Sequence, residues 1–137
     1  GESATDKMRN LVWEMHSSSS QMSWQSALYY CETLELDGYT DWRLPSIKEL
    51  VALVDYGTFS PATDTSVFSE TKSGSYISSS TCGYQTYSNG WYYSRDYVGF
   101  VDFSDGTVSR QPKTTSYTGY VRCVRSVCPP DGLCPLQ

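Results

Sequence analysis

Alternating hydrophobic and polar residues predict a short strand near the start of the chain. Leu11 and Trp13 fall on one face of residues 11–15, and Val12 falls on the other. A helix is predicted after the serine-rich stretch that follows, because Ser23 is a candidate N-cap. Apolar residues then recur at helical spacing. They form one stripe of Trp24, Ala27, Leu28, Cys31 and Leu34.

A capping box predicts a second helix. In residues 46–49 the Ser46 hydroxyl can accept from the Glu49 amide, and the Glu49 carboxylate can accept from the Ser46 amide. The apolar stripe of this helix comprises Ile47, Leu50, Val51 and Val54. Glycines are expected to end both helices, the first at the Asp-Gly pair 37–38 and the second at Gly57.

The second half of the chain has a strand pattern. Residues 58–75 are rich in Thr, Ser and Pro and indicate a loop, anchored by Val67 and Phe68. Strands are then predicted at 76–80, 91–95, 98–103, 107–109 and 120–126, with a hairpin turn at 104–106. One strand, two helices and a run of strands indicate an α+β fold. We assign residues 1–126 to one domain and 127–137 to a tail.

Charge narrows the classes of partner. The 137 residues have a net charge of −5, which argues against a nucleic-acid partner. Residues 71–137 nevertheless hold 6 bases against 4 acids, so some could meet an anionic ligand: Arg95, Arg110, Lys113, Arg122 and Arg125. The alternative is an ordinary solvated surface. No apolar run approaches the roughly 20 residues that span a bilayer, so we expect no membrane insertion by this domain.

The cysteines favour disulfides over a metal site. Five cysteines occur, none in a Cys-x-x-Cys pair, and His16 is the single histidine, which argues against structural zinc. Disulfides form in oxidising compartments, so we expect a secreted or cell-surface protein. In the tail, Cys128 and Cys134 are expected to close a small loop. The odd number leaves one thiol over or paired with another chain.

The segment from Cys82 to Tyr97 is the candidate binding site. It is too aromatic for an ordinary loop and too polar for a core strand. Tyrosine mixed with Ser, Gly and Asn is typical of binding loops, because rigid amphipathic rings give contact area at low entropy cost. The alternative is that some rings pack beneath the loop, with Trp91 as the best core candidate. The candidate ligand-binding residues are Tyr84, Tyr87, Asn89, Tyr92, Tyr93, Arg95, Tyr97, Arg110 and Lys113.

Several blocks in order resemble one family, the bacterial DUF1566 domain, which is the C-terminal domain of Legionella-type collagen-like (Lcl) proteins. The resemblance runs from about Leu11 to Ser126. It is carried by Leu11-Val12-Trp13, Trp24 through Cys31, Asp41-Trp42-Arg43-Leu44-Pro45-Ser46 with Lys48-Glu49-Leu50, Tyr76 with Ser78-Ser79, residues 101–106, and Tyr120-Val121-Arg122-Cys123-Val124-Arg125. The family commonly has Trp after this tyrosine, where this chain has Ile77.

The resemblance implies a C-type-lectin-like fold, in which two helices flank a small antiparallel sheet and a long-loop region projects from one end. It also implies a disulfide between the first helix and the last strand, which maps to Cys31 and Cys123, with Cys82 left over. Calcium-dependent lectins of this fold use acid-Pro-Asn or Gln-Pro-Asp loops. Here Lys113 follows Gln111-Pro112, so we expect neither calcium-bridged sugar binding nor any other metal or cofactor.

Catalysis is not expected. Formylglycine-generating enzymes share the fold and a similar Arg-Leu-Pro stretch, but residues 42–45 are better explained as core and helix start, with Arg43 paired to a carboxylate or backbone carbonyls. His16 has no nucleophile or orienting acid at a recognisable spacing. Asp102 and Asp105 could form a glycosidase-type acid pair, but turn acids such as Asp105 usually bind the backbone.

Three functions remain. The leading hypothesis is an adhesin or receptor-type module of a bacterial surface, pilus or stalk protein that binds a glycan or another cell-surface macromolecule. The second is a binding protein of the same fold diversified by a retroelement, since the Tyr, Ser and Asn of residues 84–97 are typical of mutated adenine-rich codons. The third is a structural cap that forms homo-oligomers.

Overall fold

The computed structural model describes residues 2–55, 57, 63–64, 67–68, 70–88, 91–113 and 117–127. For residues 82–88 and 91–95 it describes the backbone alone. Within these residues the chain is an α+β domain, as predicted, with two short helices and two three-stranded antiparallel sheets. The elements in chain order are β1 Ser3–Asp6, β2 Leu11–Glu14, α1 Trp24–Glu32, α2 Ile47–Val51, β3 Ser75–Ser88, β4 Trp91–Asp102, β5 Val108–Pro112 and β6 Val124–Ser126. Neither helix of this described part is long and apolar enough to cross a membrane.

The first sheet has the order β1-β2-β6 and joins the two ends of the domain. Leu11 pairs with Ser126 and Trp13 with Val124. The predicted alternation in β2 is confirmed, because its residues enter two different hydrophobic clusters. Val12 packs in the cluster around the first helix, whereas Trp13 packs in the cluster around the second.

The second sheet has the order β3-β4-β5. Its strands are longer than predicted: the predicted strands at 91–95 and 98–103 are parts of one continuous strand, β4, which ends at Asp102. The hairpin turn between β4 and β5 is confirmed, with Gly106 at a positive φ of 86°. The Asp105 carboxylate accepts from the backbone N–H and the hydroxyl of Thr107, which is the turn role expected of this acid.

Helix α1 begins as predicted and ends earlier than predicted. The Ser23 hydroxyl accepts from the Ser26 amide, which confirms the N-cap. The helix stops at Glu32 rather than at 37–38, because the Thr33 hydroxyl bonds to the Tyr29 carbonyl at 2.8 Å and closes the last turn. Residues 37–38, both at positive φ, instead form a separate turn.

Helix α2 has the predicted capping box but does not reach Gly57. Both reciprocal hydrogen bonds between Ser46 and Glu49 are present. The α-helix ends at Val51, and the chain then tightens because the amides of residues 53 and 54 bond to carbonyls only three positions back. Gly57 donates its amide to Asp55 instead of capping the helix.

The disulfide implied by the resemblance is confirmed: Cys31 and Cys123 are bonded, with 5.6 Å between their Cα atoms. Both residues are fully buried in the cluster that also contains Trp42, Leu44 and Val121. The bond closes a separation of 92 positions. Loop entropy alone then gives a stabilisation on the order of 4 to 5 kcal/mol. The other predicted bond, Cys128–Cys134, lies outside the described residues.

Candidate binding surface

The segment predicted to be a binding loop is a two-stranded ribbon. Strands β3 and β4 continue their pairing beyond the end of β5, which stops at Pro112 opposite Tyr97. From Gly83↔Asp96 to Ser88↔Trp91, six cross-strand pairs have no third strand among the described residues. The predicted strand at 91–95 is confirmed, but the interpretation of residues 82–88 as part of a loop was wrong, because Tyr and Thr favour a pleated strand.

A hairpin signal was present in the sequence. Asn89-Gly90 separates the two strands, and Asn-Gly is the strongest two-residue hairpin dipeptide. Asn89 itself, one of the predicted ligand-binding residues, lies outside the described residues.

The register divides the predicted binding residues between the two faces of the sheet. Arg95 pairs with Tyr84, and Gly99 pairs with Arg110. Since alternate residues of a strand belong to opposite faces, five of the predicted positions share one face. We call this the Tyr-Arg face, and it comprises Tyr84, Tyr93, Arg95, Tyr97 and Arg110. Tyr87 and Tyr92, which pair with each other, belong to the opposite face.

The base of the ribbon is anchored to helix α1. The Lys113 amide donates to the Asp96 carbonyl at 3.0 Å, which holds the end of β5 against β4. The Lys113 ammonium lies 3.9 Å from the centre of the Trp24 ring, a cation–π contact at the first residue of α1. Tyr97 is half-buried beside this anchor, and Arg110 is exposed. Lys113 thus fixes the ribbon in place as well as adding a charge.

Two of the bases that could have met an anionic ligand are instead bonded to groups of the protein itself. Arg122 is buried: it donates to the backbone carbonyls of Glu14 and Met15 and to the Thr71 hydroxyl. Arg125 donates to both oxygens of Asp41 and lies 3.6 Å from the Tyr39 ring centre. These two arginines therefore have a structural role.

The structural interpretation of residues 42–45 is confirmed. Trp42 and Leu44 are buried in the core. The two terminal nitrogens of Arg43 donate to the two Glu49 oxygens, each at 2.8 Å, and one of them also donates to the Ser126 hydroxyl. Burial raises the pKa of Glu49, but hydrogen bonds from Arg43 and the Ser46 amide hold that pKa below its ordinary value.

Sequence analysis missed a concave feature. A cleft of about 740 Å³ opens where both helices meet strands β2, β3 and β6. Leucines from three separate segments line it, namely Leu11, Leu28 and Leu44. Arg9 and Lys48 also line it. These residues come from three separate parts of the sequence, so only the fold brings them together.

Comparison with known proteins places this architecture in a family. The family model of the Lcl C-terminal domain matches residues 2–125, which include both helices and nearly all of both sheets. A search of curated proteins finds no match to the chain.

Proposed function

The chain belongs to the Lcl C-terminal domain family, and on that premise we propose that it is an extracellular, non-catalytic binding module of a bacterial surface, pilus or stalk protein. Its ligand is a glycan on a cell surface, bound by the Tyr-Arg face. One observation carries this proposal: six cross-strand pairs rich in tyrosine extend beyond the third strand of their sheet.

The ribbon is expected to contribute little to the stability of the fold. A two-stranded hairpin is marginal in water without a third strand or a packed face. Cross-strand aromatic pairs in general stabilise a sheet by only about 0.2 to 1 kcal/mol each. A costly extension that carries tyrosines and an arginine is better explained by binding than by folding.

The chemistry of the Tyr-Arg face suits a sugar. Tyrosine rings present an apolar face for stacking and a hydroxyl for hydrogen bonding. Arginine supplies several donors in a fixed planar arrangement, which matches the hydroxyl or carboxylate groups of a glycan. The position of Arg95 between Tyr93 and Tyr97 in β4 combines both kinds of contact on one face.

The location and fold form part of the same proposal. The Cys31–Cys123 bond supports an oxidising compartment outside the cytoplasm. It also supports a C-type-lectin-like fold, because it links the first helix to the residue just before the last strand. Family membership supports attachment to a bacterial surface protein.

Self-association is the second candidate. Over residues 83–88 and 91–96 neither ribbon edge is paired with a further strand among the described residues. Unpaired strand edges are ready templates for another chain. Sedimentation equilibrium of the purified domain separates the two proposals, since a strict monomer at micromolar concentration excludes the cap function.

A glycan array with two matched variants tests the main proposal. The face variant carries Tyr84→Thr, Tyr93→Thr and Arg95→Thr, and the control carries Tyr87→Thr and Tyr92→Thr. Threonine preserves strand propensity in both. We expect the face variant to lose at least about tenfold in affinity, or about 1.4 kcal/mol, and the control to retain binding. If both variants retain glycan binding, the ribbon is not the binding site.

A further inference from the structure

The cleft between the helices concentrates positive charge in the acidic half of the chain. Residues 1–70 contain 11 acids and only 4 bases: Lys7, Arg9, Arg43 and Lys48. All of these bases except Lys7 line the cleft. Two acids, Glu32 and Glu49, line it as well, so the lining carries an excess of one positive charge. A charge excess in so acidic a half points to an anionic ligand.

The three bases are not equivalent. Arg43 is held by Glu49 in a two-point ion pair, so its charge is neutralised within the wall of the cleft. Arg9 uses a single terminal nitrogen for Asp6, and its side chain remains 53% exposed. Lys48 is exposed on α2. Arg9 and Lys48 are therefore the cations that a ligand can reach.

The uncharged part of the lining combines three leucines with four polar residues, Asn10, Ser46, Ser79 and Ser126. Leu11 and Leu44 are buried and Leu28 is half-buried, so the leucines form a preformed apolar patch in the cleft. Small-molecule sites typically have about 300 to 1,000 Å³ of volume, apolar walls and a few placed polar groups. The described lining contains no aromatic ring on which a sugar could stack, which separates this cleft from the Tyr-Arg face.

We propose that this cleft binds a small amphipathic carboxylate, with its apolar body against the three leucines and its carboxylate bonded to Arg9 and Lys48. A monoanion needs less positive charge than a phosphate monoester, which carries about −1.5 to −2 at neutral pH, and Arg9 is already paired with Asp6. The same chemistry is offered by a free acid and by the C-terminus of a peptide that ends in an apolar residue.

Matched acid and amide probes test the carboxylate. The domain labelled with ¹⁵N is titrated with N-acetyl-leucine and with N-acetyl-leucinamide, and amide shifts are followed by NMR. We expect saturable shifts confined to the cleft and an affinity for the acid at least about tenfold higher. Equal affinity of the amide, shifts elsewhere, or no saturable binding of the acid would overturn the proposal.

A five-residue peptide ending in leucine, with a free or an amidated C-terminus, distinguishes the two sources of the carboxylate. If the peptide with the free C-terminus binds more tightly than N-acetyl-leucine, the ligand is a peptide terminus. If it binds more weakly, the ligand is a free acid.

Charge variants test the residues. Lys48→Gln and Arg9→Gln are each expected to weaken N-acetyl-leucine binding by about five- to tenfold, and both positions are exposed enough to keep the fold. Lys7→Gln is the matched control, because it removes the same charge from the same half of the chain without lining the cleft. If Lys7→Gln loses as much affinity for N-acetyl-leucine as the cleft variants do, the effect comes from overall charge and the proposed site is refuted. Neither cleft variant touches the ribbon, so glycan binding and carboxylate binding can fail separately.

Discussion

The carboxylate of Glu14 accepts a hydrogen bond from the backbone amide of Cys123, 109 positions further along the chain, at 3.0 Å. Its other oxygen accepts from the Tyr30 hydroxyl at 2.9 Å, so one buried acid bonds to Cys123 and to the residue that precedes Cys31 in the sequence. The Arg122 side chain, also buried, bonds to the backbone carbonyl of Glu14. The disulfide thus lies in the hydrophobic core with a buried polar network directly beside it.

Glu14 should make the protein relatively more stable as the pH falls. Burial raises the pKa of Glu14, although bonds from Cys123 and Tyr30 and the charge of Arg122 oppose the rise. The folded state therefore binds this proton more tightly than the unfolded state, so the cost of the buried charge is present above the folded pKa and is relieved as the pH falls towards 4.5. We expect the unfolding free energy of the wild type, minus that of Glu14→Gln, to increase between pH 7 and pH 4.5 in urea titrations. A constant or decreasing difference would contradict this assignment.

Glu49 should show the opposite dependence. Hydrogen bonds hold the pKa of Glu49 below its ordinary 4.5 despite its burial, so its stabilisation is present above that value and is lost as the pH falls through the folded pKa. Glutamine can keep the capping box with Ser46 but not the charge opposite Arg43. Glu49→Gln should then cost about 1 kcal/mol at pH 7 and progressively less below pH 4.5. The same urea titrations check it, and a cost that grows in acid would show that the ion pair is not the source.

What could be predicted from sequence was local or carried by the family resemblance. The two N-caps at Ser23 and Ser46 depend on residues three positions apart, so their signals are complete within one turn. The predicted ends of both helices were wrong. The Thr33 hydroxyl ends α1, and hydrogen bonds to carbonyls three residues back end α2. Strand β1 was missed because Ser3–Asp6 is polar and is defined by its pairing with β2.

For the candidate sites as well, local composition could be predicted from the sequence, whereas long-range proximity could not. The tyrosine-rich composition of residues 82–97 was visible in sequence, but the split between two faces needed the register of the ribbon. The cleft could not be predicted, since Arg9 and Lys48 are 39 positions apart by their numbers and become neighbours of one cavity only through the fold. Long-range proximity was predictable for the Cys31–Cys123 bond because the family resemblance implied it.

Loss of the disulfide should be the most destabilising of these changes. Cys31→Ala with Cys123→Ala is expected to lower the unfolding free energy by about 4 to 5 kcal/mol, because the unfolded chain regains the entropy of a long loop. Urea denaturation of the double variant measures it. Cys82→Ser is the control, with little expected change, since Cys82 is the cysteine that the predicted pairing leaves over.

Thiol counting completes that test. Alkylation of the denatured, unreduced wild type should label one of the five cysteines if Cys128 and Cys134 are bonded as predicted, and three if they are not. A wild type that labels at all five positions would contradict both bonds. A double variant as stable as the wild type would show that loop entropy contributes little here.

Gly99 is required for the approach of helix α2 to the second sheet. A Cβ at this position would lie 2.5 Å from both Cγ1 and Cδ1 of Ile47 and 3.2 Å from the Ser78 hydroxyl oxygen. Gly99→Ala should therefore cost about 1 to 3 kcal/mol, because either the isoleucine or the strand must shift. Truncating Ile47 removes the main clash, so at least half of that cost should disappear in the Ile47→Ala background.

Gly38→Ala provides the matched control for this cycle. Nothing lies within 4 Å of a Cβ at Gly38, and the strain there comes from its φ of +82° alone. Its cost, about 1 kcal/mol, should be the same with Ile47 or Ala at position 47, because a backbone penalty is independent of a distant side chain. Urea denaturation of the wild type and the five variants measures both couplings. If Gly99→Ala costs as much in the Ile47→Ala background as in the wild type, the packing of Ile47 is not what excludes a side chain at this position.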